Sequence, residues 1–153
     1  RVCVMNAGRN EAIRTVESLF ESPDTLSSSL LSGCKNYSRA EAIGDRRVRA
    51  IDWNAELECA APVSSDIRYI GVRAHYVRMA GERPGANTIS CRVVRVTRDV
   101  FHTIVSLAPV GTQQENDFSR IRMETSHACA EKLRRGDTIS VEIKPNDVML
   151  LKK

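Results

Sequence analysis

The apolar positions change their period along the chain. Over the first 33 residues short apolar runs alternate with helix signals. Residues 2–5, Val-Cys-Val-Met, read as a strand, Asn6-Ala7-Gly8 as a turn, and 9–14 as the returning strand of a hairpin. Thr15 is then placed to N-cap a short helix. Glu17 complements the positive end of that helix, and Val16, Leu19 and Phe20 share one face before Pro23 stops it. Asp24 is expected to cap a second helix carrying Leu26, Leu30 and Leu31, closed by Gly33 in a left-handed conformation.

From Lys35 onward the alternation has period two and turns are frequent. Residues 38–43 and 47–51, joined at Gly44-Asp45, read as a hairpin, and 67–73 as a further strand. Ile89, Cys91 and Val93 lie on one parity and Val94 and Val96 on the other, which predicts a bulge near Val93-Val94. Residues 101–107, 118–123, 138–143 and 148–151 supply four more strands, with a helical insert over 126–135 ended by Gly136. Short strands with one helix between the third and fourth predict a mainly β, OB-like barrel architecture. Pro84-Gly85 marks a hinge, 112–117 a polar mobile loop, and no internal repeat is convincing.

A chain of 153 residues with 42% hydrophobic content supports one ordinary domain or two small lobes. No apolar run approaches the ~20 residues of a membrane span, and no secretory leader pattern opens the chain, so an intracellular protein is expected. Cys3, Cys34, Cys59, Cys91 and Cys129 are odd in number and without metal-ligand spacing, and read as core filler. The excess of 23 Lys+Arg over 19 Asp+Glu is carried mostly by Arg, whose planar fork suits oxyanions. It is dispersed, with Arg46-Arg47-Arg49 and Arg92-Arg95-Arg98 alternating with apolar residues, so nucleic-acid binding is not indicated. There is no phosphate-binding loop, no zinc-protease helix, no nucleophile elbow and no dinucleotide fingerprint. His75, His102 and His127 have no spaced partner, so no metal site is expected.

Four segments then carry a resemblance. VCVMNAGRNEAIRTVESLFESP from Val2 resembles the tail of the ATPase domain of ABC import proteins. LLSGCKNYSRAEAIGDRRVRAIDW resembles the join to the regulatory domain in the molybdate, tungstate and sulfate branch of those ATPases. IGVRAHYVRM is similar to a "GIRAHDI" segment of the same group, and RRGDTISVEIKPNDVMLL to the closing strands of a TOBE or Mop-like domain.

The resemblance implies that 1–33 is the tail of an ATPase domain and 34–153 a TOBE-like regulatory domain, with a Mop-like second segment from about 86. It implies a C-terminal piece of a longer subunit, without catalytic residues, the motifs that bind ATP and Mg lying upstream. Cut from its neighbours, Val2, Val4, Leu19 and Phe20 would expose apolar surface. Expected partners are a second copy of the chain, the ATPase domain of the same subunit and, through it, membrane permease subunits, at the cytoplasmic face of the cell membrane. For an oxyanion ligand the resemblance implies Ser and Arg in a "SARN" segment and Lys in an "IK" segment. Pro84 and Ala86 stand at the Ser and Arg positions, Asn87 and Lys144 match, and Ser126 partly matches a hydroxyl-bearing segment. Arg73, His75 and Trp53 are expected to contact the ATPase domain or a second subunit, although Arg73 reads equally as a structural ion-pair partner and Trp53 as core. The alternatives are a freestanding OB module for single-stranded nucleic acid, which needs more aromatics than the 5% present, and a small oxyanion-binding protein.

Overall fold

The computed structural model describes residues 1–112, 116 and 118–153. Most of the expected 112–117 loop lies outside the described residues. The opening hairpin forms as β1 (Met5–Asn6) and β2 (Arg9–Asn10), with an outer bridge from Val2 to Arg14. Its central residues Ala7 and Gly8 both have positive φ, 48° and 75°, as a primed two-residue turn requires. Helices α1 (Val16–Glu21) and α2 (Leu26–Leu31) follow. The cap of α2 is Thr25 rather than Asp24, because Thr25 and Ser28 exchange side-chain and backbone hydrogen bonds in a capping box. The predicted apolar face of α2 is also displaced. Ser28 and Ser29 are buried, while Leu31 is 67% exposed. Val4 and Leu19 are buried after all, and Phe20 stays half exposed.

Among the described residues the β part comprises twelve strands with those of the hairpin. β3 (Asn36–Gly44) and β4 (Arg47–Ala50) form the expected hairpin, and a short 3-10 turn (Ile51–Trp53) leads into β5 (Ala55–Glu58). β6 (Tyr69–Val72) runs through a 3-10 turn (Ala74–Tyr76) into β7 (Arg78–Met79). β8 (Thr88–Arg98) and β9 (Thr103–Pro109) come next, with the bulge where the parity changes, between Val93 and Arg95. Phe101, expected inside β9, lies in the connecting turn and is 83% exposed. β10 (Ile121–Thr125) precedes α3 (His127–Ala130), a single turn where a ten-residue helix was expected. β11 (Thr138–Glu142), a 3-10 turn (Pro145–Asp147) and β12 (Met149–Leu151) end the fold. β5 and β7 were not anticipated. Ala55–Glu58 has no β-branched residue, and β7 is two residues long.

Two five-stranded sheets result, ordered β12-β6-β3-β4-β5 and β10-β9-β8-β11-β7. Reading the second from its other end and replacing each of β3 to β7 by the strand five places on turns one order into the other. The halves are therefore topologically equivalent, and each gives its last strand to the other: β7 pairs with β11, and β12 with β6. The register agrees throughout. Gly71 opposes Met149 just as Glu142 opposes Arg78, and Ala40 opposes Ala50 just as Cys91 opposes Pro109. This overturns the expectation of no internal repeat. It stayed hidden because Ile70 to Met79 and Val141 to Leu150 share only Val77 with Val148, while keeping the same apolar positions. The exchange also merges the cores. Trp53, Leu57 and Ile70 of the first half belong to one buried cluster with Leu107, Met123 and Ile143 of the second. The N-terminal helices hang on the seam, where Thr25 pairs in parallel with Lys152 and Lys152 N–H donates to the Asp24 carbonyl at 2.8 Å.

Candidate functional site

Each half crosses to the other through a cationic residue that precedes a 3-10 turn, Arg73 in the first half and Lys144 in the second. A buried asparagine secures each crossing. Asn87, 1% exposed, accepts from Glu58 N–H at 2.6 Å and donates to the Glu58 carbonyl at 2.8 Å, and its own carbonyl accepts from Ile143 N–H at 3.0 Å. Asn36 repeats this on Arg122 at 2.6 and 2.8 Å, and faces Val72 in the ladder. Both side-chain amides are fully engaged by backbone, so each clasps two strands together. Asn36 was missed by sequence reading, and Asn87 was picked for a different role.

Lys144 is exposed, beside the buried Ile143 that joins the Asn87 segment. The two segments singled out for an oxyanion, 84–87 and 143–146, are thus adjacent. Ser126 is not with them. It N-caps α3, accepting from Cys129 N–H at 3.2 Å, next to Thr125, which opposes Thr103 and, beyond it, Arg98. Lys144 follows Glu142, which opposes Thr88, so the two lie at opposite ends of β8.

Arg73 is spent on the chain's own backbone. It donates to the Ser32 carbonyl at 2.8 Å and to the Phe20 carbonyl, and lies 3.4 Å from Ser32 Oγ, which ties α1 and the end of α2 to the crossover. No carboxylate pairs with it among the described residues. His75 lies against Tyr76 with ring centroids 4.2 Å apart, and both line a groove of about 490 Å³ with Phe20, Arg73, Asn146 and Met149. Glu21 and Asp147 also line it. Trp53 is fully buried, its indole N–H donating to the Phe118 carbonyl at 2.9 Å, so it has no surface to offer another domain. Its neighbour Asp52 is itself buried and accepts from two exposed residues: Oδ2 from Arg39 N–H at 2.7 Å, and Oδ1 from Arg39 Nη2 at 2.7 Å and Asn116 Nδ2 at 2.8 Å. Burial works to raise the Asp52 pKa, but these hydrogen bonds and the guanidinium charge outweigh it and hold the carboxyl below its ordinary value.

Among the described residues no three His, Cys, Asp or Glu side chains converge on a metal position. Burial pushes the Cys59 and Cys91 thiols up to about 11 and about 12, so they carry no thiolate near neutrality. Cys34 is buried too, whereas Cys3 and Cys129 are exposed rather than core filler. No described helix is long and apolar enough to cross a membrane.

No family model matches the sequence, and no curated protein matches it. Among solved structures, the cytoplasmic molybdate-binding protein ModG, solved with molybdate bound, aligns with a TM-score of 0.60 at 16% identity, over 77% of this chain and 96% of that one. The chain accordingly has the mainly β, OB-like fold found in ModG.

Proposed function

We propose that the chain is a regulatory, dimer-forming, non-catalytic domain of the ATP-binding subunit of an ABC importer for a tetrahedral oxyanion such as molybdate, tungstate or sulfate. The observation that carries this reading is the fold shared with a molybdate-binding protein. The cations at both crossovers support it, since a desolvated dianion needs charge-assisted donors. The sequence resemblance supplies the transporter context: 1–33 as the tail of an ATPase domain, 34–153 as the regulatory domain, ATP and Mg bound upstream, permease subunits beyond, all at the cytoplasmic membrane face. In this reading two copies hold two ATPase domains in register, and an anion that prefers one arrangement shifts the transport cycle.

Isothermal titration with molybdate, tungstate and sulfate, run beside light scattering, tests it. The expected result is micromolar binding of at least one anion by a dimer, whose interface must bury more than ~1,000 Å². No heat with any of the three would remove the oxyanion reading, and a monomer at high concentration would remove the dimer.

A further inference from the structure

The second sheet has a lane beside the end of β8 that no strand fills. β11 accompanies β8 only as far as the pair of Thr138 with Arg92; Val93 N–H then donates to the Asp137 carbonyl at 2.7 Å, and the Val93 carbonyl accepts from Gly136 N–H at 2.8 Å. At Gly136, with a φ of 94°, the chain turns aside from β8. β8 itself runs on to Arg98, and residues 95–98 are all exposed. The phase of the ladder says which backbone groups are free there. Asp99 N–H donates to the His102 carbonyl at 2.8 Å. Alternate residues of an antiparallel pair turn N–H and C=O toward the partner, so Thr97 and Arg95 bond β9 as Asp99 does, and Val96 and Arg98 point the other way. Among the described residues no group meets the outward N–H and C=O of these two. A groove of about 420 Å³ lies along them, lined by Val96 and Arg98, by His127 of α3, and by Glu131, Leu133 and Arg134 beyond it. Its two donors and two acceptors are spaced to take one more strand.

The charge of this edge selects which strand. Arg95, Arg98, Lys132, Arg134 and Arg135 are exposed, and none pairs with a carboxylate among the described residues. Of the acids nearby, Asp99 accepts from Val100 N–H at 2.7 Å, Asp137 from Arg134 N–H at 2.8 Å, and Glu124 pairs with His102. Glu131 is the one carboxylate that lines the groove, against two guanidinium groups. Arginines on an edge also oppose its pairing with the same edge of a second copy, because a two-fold contact sets like charges against each other. We propose that the open edge of β8 takes an extended acidic peptide of another protein. The peptide adds as a strand beside residues 94–98 and bonds the Val96 and Arg98 backbone. Its Asp or Glu side chains meet Arg98 and Arg134, and an apolar side chain rests on Val96 and Leu133. This site requires nothing of the oxyanion reading above.

The test is a fluorescence anisotropy titration of the whole chain, at physiological salt, with a short labelled peptide of alternating Glu and Val. Two control peptides carry Lys for Glu, or N-methyl groups on alternate backbone nitrogens. The expected result is micromolar binding of the acidic peptide, about tenfold or more weaker for each control. Val96→Pro removes an outward N–H while leaving the ladder to β9 intact, and is expected to weaken binding about tenfold. Arg95→Gln/Arg98→Gln is expected to weaken it about fivefold or more; both side chains are exposed, so that loss is not a folding defect. Arg1→Gln/Arg9→Gln removes the same charge from the N-terminal segment and is expected to change binding less than about twofold. Hydrogen exchange over 94–98 is expected to slow when the peptide is bound. No binding of the acidic peptide would overturn the proposal, as would equal binding of the N-methylated one or equal losses in the two arginine double variants. Protection of 94–98 that grows with concentration of the chain alone would assign the lane to a second copy and overturn it too.

Discussion

Single residues divide sharply into those whose surroundings the sequence announces and those it does not. Trp53 and Phe101 are both large aromatics beside an acidic or basic neighbour, yet one is wholly buried and the other 83% exposed. The difference lies in position, since Trp53 ends a 3-10 turn packed under a sheet and Phe101 sits at a hairpin tip. Asp52 was legible only as a neighbour of Trp53. The fold makes it the acceptor of a three-residue network. Its carboxyl titrates lower folded than unfolded, so its stabilisation is complete above the unfolded value near ~4 and fades as pH falls through the folded one. Asp52→Asn is expected to reduce stability at neutral pH by about 2 kcal/mol, with a smaller loss at acid pH where the native carboxyl is itself neutral. Urea unfolding across the acid range checks this, and identical pH profiles for the two proteins would show that the network adds nothing.

Among elements, long strands were legible because one face is buried: β9 alternates buried and half-exposed positions along its whole length, and the bulge in β8 falls where the apolar parity switches. Short elements were not. β5 and β7 exist because a neighbouring strand offers a ladder, a condition no local pattern records. The same holds for α2, whose cap moved by one residue to where Ser28 could reciprocate. The two asparagine clasps are elements of this kind. Asn36→Ala and Asn87→Ala each remove two hydrogen bonds to strand backbone, so each is expected to reduce stability by about 2 kcal/mol, with the two losses alike. Chemical denaturation of both variants checks it, and a large loss in one with none in the other would mean that the crossovers are not energetically equivalent.

For the whole molecule the deciding feature is the exchange of last strands. β12 belongs to the second half in sequence and to the first sheet in space, where Leu151 packs with Cys34 and Tyr37. Deleting residues 148–153 is therefore expected to unprotect β6, the N-terminal partner it leaves, while β8 and β9 stay protected. Hydrogen exchange measured peptide by peptide reads this directly, and loosening confined to β11 and α3 would contradict it. The sequence by itself determined the mainly β class, the opening hairpin and helices and the main strands. These follow from alternation, capping and turn chemistry, which act over a few residues. Only the tertiary structure decided that the chain is two equivalent halves, that Asn87 is a clasp, that Ser126 and Lys144 lie apart, and that Arg73 faces Ser32 and Phe20. Those depend on pairings between residues 29 to 86 positions apart, where burial and backbone hydrogen bonding conserve geometry while leaving side-chain identity free to diverge.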